Sequence, residues 1–429
     1  MLEKRKPIAV GEAVQRVMEL GGQGKIEFVS LLQAHGRFLA EDVAADADVP
    51  AFNRSPYDGY AIRSADSEEA SSENPITFHV VGEIGAGFLF EKEVGVREAV
   101  RIMTGAPIPK GCDAVVMLEL TNSFEENDQM YMAIKRTFEA GTNISYKGED
   151  VQKGAILIEK GQYINPGVVA LLATFGFDQV PVFRKPIVGV IATGSELLEP
   201  NESLQPGKIR NSNAYMTMAQ IERAGATAKY YGKLSDDLNL CIDAVKKALQ
   251  EVDILITTGG VSVGDYDYLP AIYEAIGADV LFNKVAMRPG SVTTVAARDG
   301  QLLFGLSGNP SACYVGFELF VRPIVRTAFG NKKPHLRKEL AILGADFKKA
   351  NPFTRFVRGN ASQENGQLVA VPSGFDKSSA VSSLANANVL IVLPGGSRGY
   401  EKGMQVEVLL LEDLQGSEWP WDNIVKSYR

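Results

Sequence analysis

The chain predicts a multidomain α/β plus β fold: a central, mostly parallel α/β sheet domain, a small β-rich domain, a discontinuous mixed linker domain and a β-rich C-terminal domain. Three observations carry that expectation. Between Pro186 and Phe329 near-continuous apolar segments alternate with amphipathic ones, the pattern of a parallel sheet covered on both faces. Short alternating segments between Gly and Pro turns fill residues 51–139 and recur from about Gly330, which is the texture of β-rich domains. Helical character marks residues 1–50 and returns from Gly141 to Lys185, as in a chain that leaves a domain and comes back to it.

Taken in order, the first element is a helix with Val10, Val14, Val17 and Met18 on one face, ended by Gly21 and Gly22. ITFHVVG and DAVVMLE read as short strands of the small domain. Asn165 is placed to cap, and Pro166 to start, a helix that Gly176 can end. The third region then runs IVGVIAT, NAYMTMAQIERAG, DDLNLCIDAVKKALQ, DILITTGG, YLPAIYEAIG, SVTTVAA, LLFGLSG and PSACYVGFELFVRPIV, strands and helices in turn. RFVRGNA, QLVAVP, NVLIVLP and MQVEVLLL are strands of a terminal barrel or sandwich, and WPWDNIVKSYR is a docked or frayed tail.

Composition bounds the ligands. With 429 residues the prior is about three domains, and 45% hydrophobic with 22% charged residues is ordinary globular usage. A net charge of −8 argues against nucleic acid, and the basic clusters at Lys4 to Lys6 and Lys332 to Lys338 read as solvated surface. Cys112, Cys241 and Cys313 are odd in number and widely spaced, which favours a reduced cytosolic protein. The N-terminal segment is broken by Glu12, Arg16 and Glu19 and so lacks the apolar centre of a signal peptide. No apolar run approaches the ~20 residues a membrane span needs, and a soluble cytoplasmic protein is expected.

Ligands of parallel sheets bind at the carboxyl ends of the strands, and three glycine turns fall there. The first holds Thr193, Gly194, Ser195 and Glu196. The second, TTGGVSVGDYD, holds Gly259, Gly260, Ser262, Gly264, Asp265 and Asp267; the third, GLSGNPSA, holds Ser307, Gly308 and Asn309. Any one such turn is more often only a turn; three at one edge, two of them acidic, predict an anion cradle with a cation beside it. Asn309 can cap a helix that Pro310 begins, aiming free N–H groups outward. Neither GxxxxGK[ST] nor a helix-opening GxGxxG is present, which excludes the two common nucleotide fingerprints. His35, His79 and His335 lie elsewhere in the chain, so a histidine metal site or a Ser-His-Asp triad is not expected, whereas oxygen ligands with phosphate are the Mg²⁺ pattern.

FNKVAMRPGSVT places Lys284 and Arg288 four apart beside the sheet, suited to oxyanions but equally to surface decoration. SDDLN around Asp237 reads equally as a helix cap with an acidic first turn. PAFNRSPYDGYAIRSAD sets Asp58 between Tyr57 and Gly59 in a turn too elaborate for a linker.

SPYDGYA, MTGAPIPKGCDAVV, ATGSELLEP, KIRNSN, GGVSVGDYDY, KVAMRPG and LSGNPSA occur in one order between Ser55 and Ala312, within a resemblance that runs from about residue 8 to residue 411. In that set and order the chain resembles the MoeA family of molybdopterin molybdenumtransferases, related to the C-terminal catalytic domain of gephyrin. The resemblance implies four domains, placed at 1–50 with 140–185 (linker and dimerisation), 51–139 (β-rich), 186–329 (molybdopterin-binding α/β) and 330–429 (C-terminal β-barrel), and a homodimer. It implies molybdenum cofactor biosynthesis: Mg²⁺-dependent insertion of molybdate into adenylylated molybdopterin with release of AMP. On that mapping Glu196 and Asp267 resemble the Mg²⁺ ligands. Asp58, Thr104 and Asp237 resemble reactive-cleft residues, and Lys284 and Arg288 the oxyanion-holding pair.

The sequence departs from the commoner family pattern at Arg288, often Lys, at LSGNP, where Pro often precedes the Gly, and at NRSPY before Asp58. Arginine keeps the charge but presents a planar fork. A tungstate-inserting paralogue and a non-catalytic molybdopterin-binding scaffold carry the same motifs and stay open. Nucleotide enzymes that share only the third region, of the pterin-adenylylating or competence-damage type, lack the SPYDGYA domain and the terminal barrel. Other molybdenum cofactor biosynthesis proteins are candidate partners.

Overall fold

The structure is a computed structural model that describes residues 6–234, 237–259, 268–349, 352–413 and 416–421. The chain forms two compact units. The larger comprises residues 1–41, 161–166 and 179–429, the smaller 42–160 and 167–178.

The larger unit is organised by a six-stranded sheet in the order Thr227–Leu234, Ile187–Thr193, Ile254–Thr258, Gln301–Leu306, Thr294–Arg298, Asp279–Phe282. The first four strands pair in parallel. Thr294–Arg298 is antiparallel to both its neighbours and alone runs in reverse. Local turn chemistry explains the reversal. Asp299 and Gly300 take φ of 49° and 81° between the paired residues Arg298 and Gln301, and two positive-φ residues in a two-residue loop make a hairpin turn whose twist matches the strands.

The central strands are buried on both faces, which is why they read as continuous apolar runs. One face, with Val188, Val190, Ile254, Ile256, Leu302 and Phe304, belongs to a core completed by Ala214 and Ile221 of the Asn213–Ala224 helix and by Val10, Val14 and Val17 of the Val10–Met18 helix. The other face, with Ile191, Leu255, Ala296 and Leu303, is covered by Cys241 and Val245 of Leu238–Leu249 and by Ile272 and Tyr273 of Leu269–Ile276. Each fully buried aliphatic side chain stabilises the unit by about 1.5–3 kcal/mol.

A long helical stretch begins at Pro310 and continues to Ala328, with a π-helical turn over Phe317–Val321. Pro323 lacks the N–H that an α-helix would direct at the Leu319 carbonyl, and the widened turn absorbs that loss.

The C-terminal part of the same unit closes a five-stranded barrel in the order Thr354–Glu364, Gln367–Pro372, Arg337–Leu343, Gln405–Leu410, Val389–Leu393 and back to the first. This resolves the barrel-or-sandwich choice. It also adds a strand that pattern reading assigned to solvated surface, because its first charged residues are paired rather than packed in an apolar core: Arg337 with Glu339 of its own strand and with Asp413, and Lys338 with a residue of the neighbouring strand. Lys338 Nζ lies 3.1 Å from Glu407 Oε1. Asn365 and Gly366, at φ 50° and 78°, make the Glu364–Gln367 hairpin. Trp419 of the expected tail packs edge-on against His335 at 5.5 Å.

The smaller unit is a six-stranded sheet, Ala114–Met117, Gly59–Ile62, Glu98–Ile102, Ile76–Ile84, Gln129–Ile134, Thr121–Glu126. Its two faces carry separate cores, one with Tyr60, Phe78 and Met132, the other with Ala61, Val100 and Val115. Among the described residues no helix is long and apolar enough to cross a membrane.

Candidate active site

The three glycine turns meet at the carboxyl edge of the large sheet. Gly259, at φ 90°, donates its N–H to the Leu306 carbonyl at 3.1 Å. A Cβ on Gly259 would lie 2.4 Å from the Thr193 carbonyl oxygen, so only glycine fits between the first and second turns. Gly308 lies next to Gly259 on the other side: a Cβ there would be 3.6 Å from the Gly259 Cα. Thr193 Oγ1 donates to the Thr258 carbonyl at 3.4 Å. Gly260, Ser262, Gly264, Asp265 and Asp267 of the second turn lie outside the described residues, as do Ser235 and Asp236.

The first turn is fixed from below. Leu197–Leu198 pairs with Ile209–Arg210, and Lys208 Nζ donates to the Ser195 carbonyl at 2.6 Å. The Tyr215 and Tyr230 hydroxyls each donate to Glu199 at 2.8 Å, and Asn211 Nδ2 donates to Tyr230 at 2.9 Å. Burial, then the Glu199 carboxylate, hold the Tyr230 phenol well above its usual range, so the phenol remains a hydrogen-bond donor to Glu199. Glu196 is exposed, and Gly194, at φ 146°, lets its carboxylate fold back over the turn: a Cβ on Gly194 would meet Glu196 Oε2 at 2.5 Å.

Asn213, which pattern reading did not single out, connects the helix that follows KIRNS to the third turn. Its Nδ2 donates to the Gly308 carbonyl at 2.9 Å and reaches Ser307 O at 3.5 Å. Those two acceptors fix the amide orientation. The opposite atom, Asn213 Oδ1, is buried with no hydrogen-bond partner among the described residues. A buried orphan acceptor beside bare backbone is an opening for a ligand donor. The sequence signals for it are a pair of asparagines around a helix start and its place at the end of the KIRNSN motif.

The third turn differs from expectation in one respect. Asn309 occupies the position before Pro310, yet its side chain makes no capping bond. The helix start is instead held by the barrel, the Ser311 N–H donating to the Ser378 carbonyl at 3.0 Å and Ser311 Oγ to the Ala380 carbonyl at 2.6 Å. One of the N–H groups read as free is therefore occupied. Ser307 Oγ accepts from the Asn309 N–H at 3.2 Å. Cys313, two residues further on, is buried, and that burial pushes its thiol up to about 12, which removes it as a nucleophile.

The Lys284–Arg288 stretch reaches the same edge. A Cβ on Gly290, at φ 86°, would lie 3.2 Å from the Ala312 carbonyl oxygen, setting the RPG turn against the Pro310 helix. Met287–Arg288 pairs with Thr354–Arg355 of the barrel, adding Arg355, which with Arg358 and Lys349 shares the carboxylate of Asp376. Asp237 does act as a helix cap: its Oδ1 accepts from the Leu240 N–H at 3.0 Å, at the same sheet edge.

Asp58 and Thr104 belong to the smaller unit and form a pair there. Asp58 Oδ1 accepts from the Thr104 N–H at 2.7 Å and from Thr104 Oγ1 at 2.9 Å. The Thr104 backbone N–H first, then its hydroxyl, hold the Asp58 carboxyl below the usual carboxylate range. Gly59 is required beside it, since a Cβ would lie 2.1 Å from the Val116 carbonyl oxygen of the neighbouring strand.

The described part of the sheet edge offers bare backbone, an orphan acceptor, a carboxylate and cations, and no nucleophile with an adjacent base. That combination suits the binding and orientation of an anionic ligand. Comparison with known proteins agrees. Residues 8–176 match the MoeA N-terminal region (domain I and II), residues 189–327 a probable molybdopterin binding domain, and residues 341–411 the MoeA C-terminal region (domain IV). The chain is 61% identical over 427 residues to the molybdopterin molybdenumtransferase of Bacillus subtilis (strain 168), covering 100% of this chain and 99% of that one. It is 52% identical to that of Staphylococcus aureus (strain Mu50 / ATCC 700699) over 418 residues, 97% and 99% of the two chains. Its fold is similar to the crystal structure of a molybdopterin biosynthesis MoeA protein from Pyrococcus horikosii, with TM-score 0.84, 30% identity and coverage of 95% and 100%.

Proposed function

The chain belongs to the MoeA family of molybdopterin molybdenumtransferases, transferases of molybdenum cofactor biosynthesis, and from that premise we propose that it inserts molybdenum from molybdate into adenylylated molybdopterin, releasing AMP, with Mg²⁺ as cofactor. The observation that carries the reading is the convergence of Thr193, Gly259 and Gly308 at one edge, with Asn213 Oδ1 buried beside them and lacking a partner among the described residues. Backbone N–H groups of the turns bind phosphate oxygens. Asn213 Oδ1 accepts from a pterin or ribose donor. Lys284 and Arg288 orient the molybdate oxyanion by charge and by a planar fork.

Mg²⁺ takes hard oxygen ligands, commonly one or two carboxylates completed by water and phosphate. Glu196, lying over Gly194, fits that demand, and Asp267 supplies the second carboxylate of the proposal. When bound, the ion would neutralise charge on the phosphate oxygens. Asp58, kept ionised by Thr104, acts at the reacting end.

The proposal includes four domains, at 1–50 with 140–185, 51–139, 186–329 and 330–429, and a cytoplasmic homodimer. In that homodimer Asp58 and Thr104 of one protomer complete the sheet-edge site of its partner. Release of AMP from adenylylated molybdopterin tests it. Glu196→Gln and Asp267→Asn keep side-chain shape and lose charge, so each should cut the Mg²⁺-dependent rate by about 10²-fold or more. Unchanged turnover in both variants would sink the metal assignment.

A further inference from the structure

Asp376 lies where the barrel meets the sheet-edge site, and its side chain is 10% exposed. Its Oδ1 accepts from Arg358 Nη1 at 3.1 Å, and its Oδ2 accepts from Arg355 Nη1 at 2.9 Å and from Lys349 Nζ at 3.1 Å. Lys349 also donates to the Asp376 carbonyl at 2.8 Å. Arg358 is 1% exposed. Burial pulls its guanidinium below the usual arginine range, and the Asp376 carboxylate works against that pull. A buried cation keeps its place only while it is paired.

From Arg358 the contacts lead to the third turn. Arg358 Nη2 reaches the Phe375 and Lys377 carbonyls, each at 3.4 Å, and Ser383 Oγ at 3.3 Å, which pins residues 375–383 against the Thr354–Glu364 strand. Within the pinned segment the Ala380 N–H donates to the Lys377 carbonyl at 3.1 Å. The two carbonyls that accept from Ser311, those of Ser378 and Ala380, belong to this same segment. Ser311 stands three residues after Gly308, whose carbonyl Asn213 holds from the Asn213–Ala224 helix. The third turn is thus held twice, once by that helix and once by the barrel.

From Arg355 the contacts lead to Arg288. The two arginines occupy paired positions where Met287–Arg288 runs parallel to Thr354–Arg355. Like charges at paired strand positions repel, and Asp376 neutralises the Arg355 side. An ion cluster that served the barrel alone would end at its strands, whereas both arginines of this one continue to elements of the sheet edge.

We propose that Asp376 is a positioning residue for the proposed reaction: through Arg358 and residues 375–380 it sets the third turn, and through Arg355 it sets Arg288. The inference rests on the reading of that turn and of Arg288 as ligand-holding elements.

Asp376→Asn keeps the side-chain shape and removes the charge. Anaerobic calorimetry with molybdopterin, and the KM for molybdate in the AMP-release assay, test it on the full-length protein well below the melting transition. Kd and KM should each rise about tenfold, the loss of one charge-assisted contact. Leu343→Ala truncates the barrel core on a strand that does not pair with Met287–Arg288; it lowers stability and should leave both values within about twofold. Ser311→Ala removes the hydroxyl bond to Ala380 and leaves every ion pair in place, so it reads the same path even where Asp376→Asn does not fold. It should weaken molybdopterin binding about threefold. Asp376→Asn values equal to wild type, or shifted no further than those of Leu343→Ala, would overturn the inference, as would wild-type affinity in Ser311→Ala. Gly308→Val separates the two levels. Weaker binding there beside an unchanged Asp376→Asn protein removes the positioning role alone, and unchanged binding in both removes the ligand-holding role of the third turn as well.

Discussion

Replacing Gly308 with valine separates ligand binding from folding. Gly308 is not among the positive-φ glycines, and the single described heavy atom within 4 Å of a Cβ there is the Gly259 Cα at 3.6 Å, an ordinary contact. The fold should therefore tolerate the change within about 0.5 kcal/mol, a melting shift of about 1–2 °C. The γ-methyls would fill the space through which the turn's backbone approaches an anion. Loss of one hydrogen bond to a charged group removes about 1.5–3 kcal/mol, so affinity should fall about 10- to 150-fold. Gly259→Ala makes the contrast. Its φ of 90° costs a side chain about 1–2 kcal/mol, and a contact of 2.4 Å to the Thr193 oxygen adds about 1–3 kcal/mol. That variant should melt on the order of 10 °C lower. Anaerobic calorimetry with molybdopterin, beside differential scanning calorimetry, reads both quantities. A folded Gly308→Val protein with wild-type affinity would mean that the third turn is only a turn.

Three further outcomes follow from named contacts. Mixing inactive Asp58→Ala with inactive Glu196→Ala protein under subunit exchange should restore activity if the site is completed across the dimer; mixed dimers that stay inactive would place the site within one chain. Glu318 is fully buried, bonds Gln220 at 2.7 Å and lies 3.7 Å from Arg322, itself 2% exposed, so Glu318→Gln should destabilise the protein by about 3–5 kcal/mol; denaturant unfolding with an unchanged midpoint would refute the pairing. Burial lowers the His335 pKa to about 4. The unfolded chain then binds the extra proton first, and about 3 kcal/mol of stability should be lost as pH falls from 6.5 to about 4. His335→Gln should flatten that slope, and an identical slope in the variant would show that other groups cause it.

Much of the fold was legible because local and global signals agree. The Val10–Met18 helix, the strands around Val190, Ile256 and Phe304, and the turns at Gly194, Gly259 and Gly308 all sit where periodicity and glycine placement put them. The reversed Thr294–Arg298 strand escaped an apolar-run reading, although Asp299-Gly300 is a hairpin signal. Arg337–Leu343 escaped because it opens on charged residues that are held by ion pairs, Arg337 with Glu339 and Asp413 and Lys338 with Glu407 of the neighbouring strand. Asn213 and Ser311 could not be found locally: each depends on a segment about 70 or more residues away, Ser307 and Gly308 for one and Ser378 with Ala380 for the other. Asp58 was singled out by its elaborate turn, whereas Thr104 and the cleft role of both came from motif resemblance; their bond spans 46 residues.

In the proposed reaction, transfer of molybdenum and loss of the adenylyl group are a single event at this sheet edge. The most direct measurement is an anaerobic single-turnover experiment with adenylylated molybdopterin, Mg²⁺ and molybdate, quantifying AMP and molybdenum-bearing pterin in the same samples. Both should appear with the same rate and in equal amounts, and both should disappear together in Glu196→Gln. Molybdenum-bearing pterin formed at the wild-type rate without AMP, or AMP released with no molybdenum bound to the pterin, would contradict it.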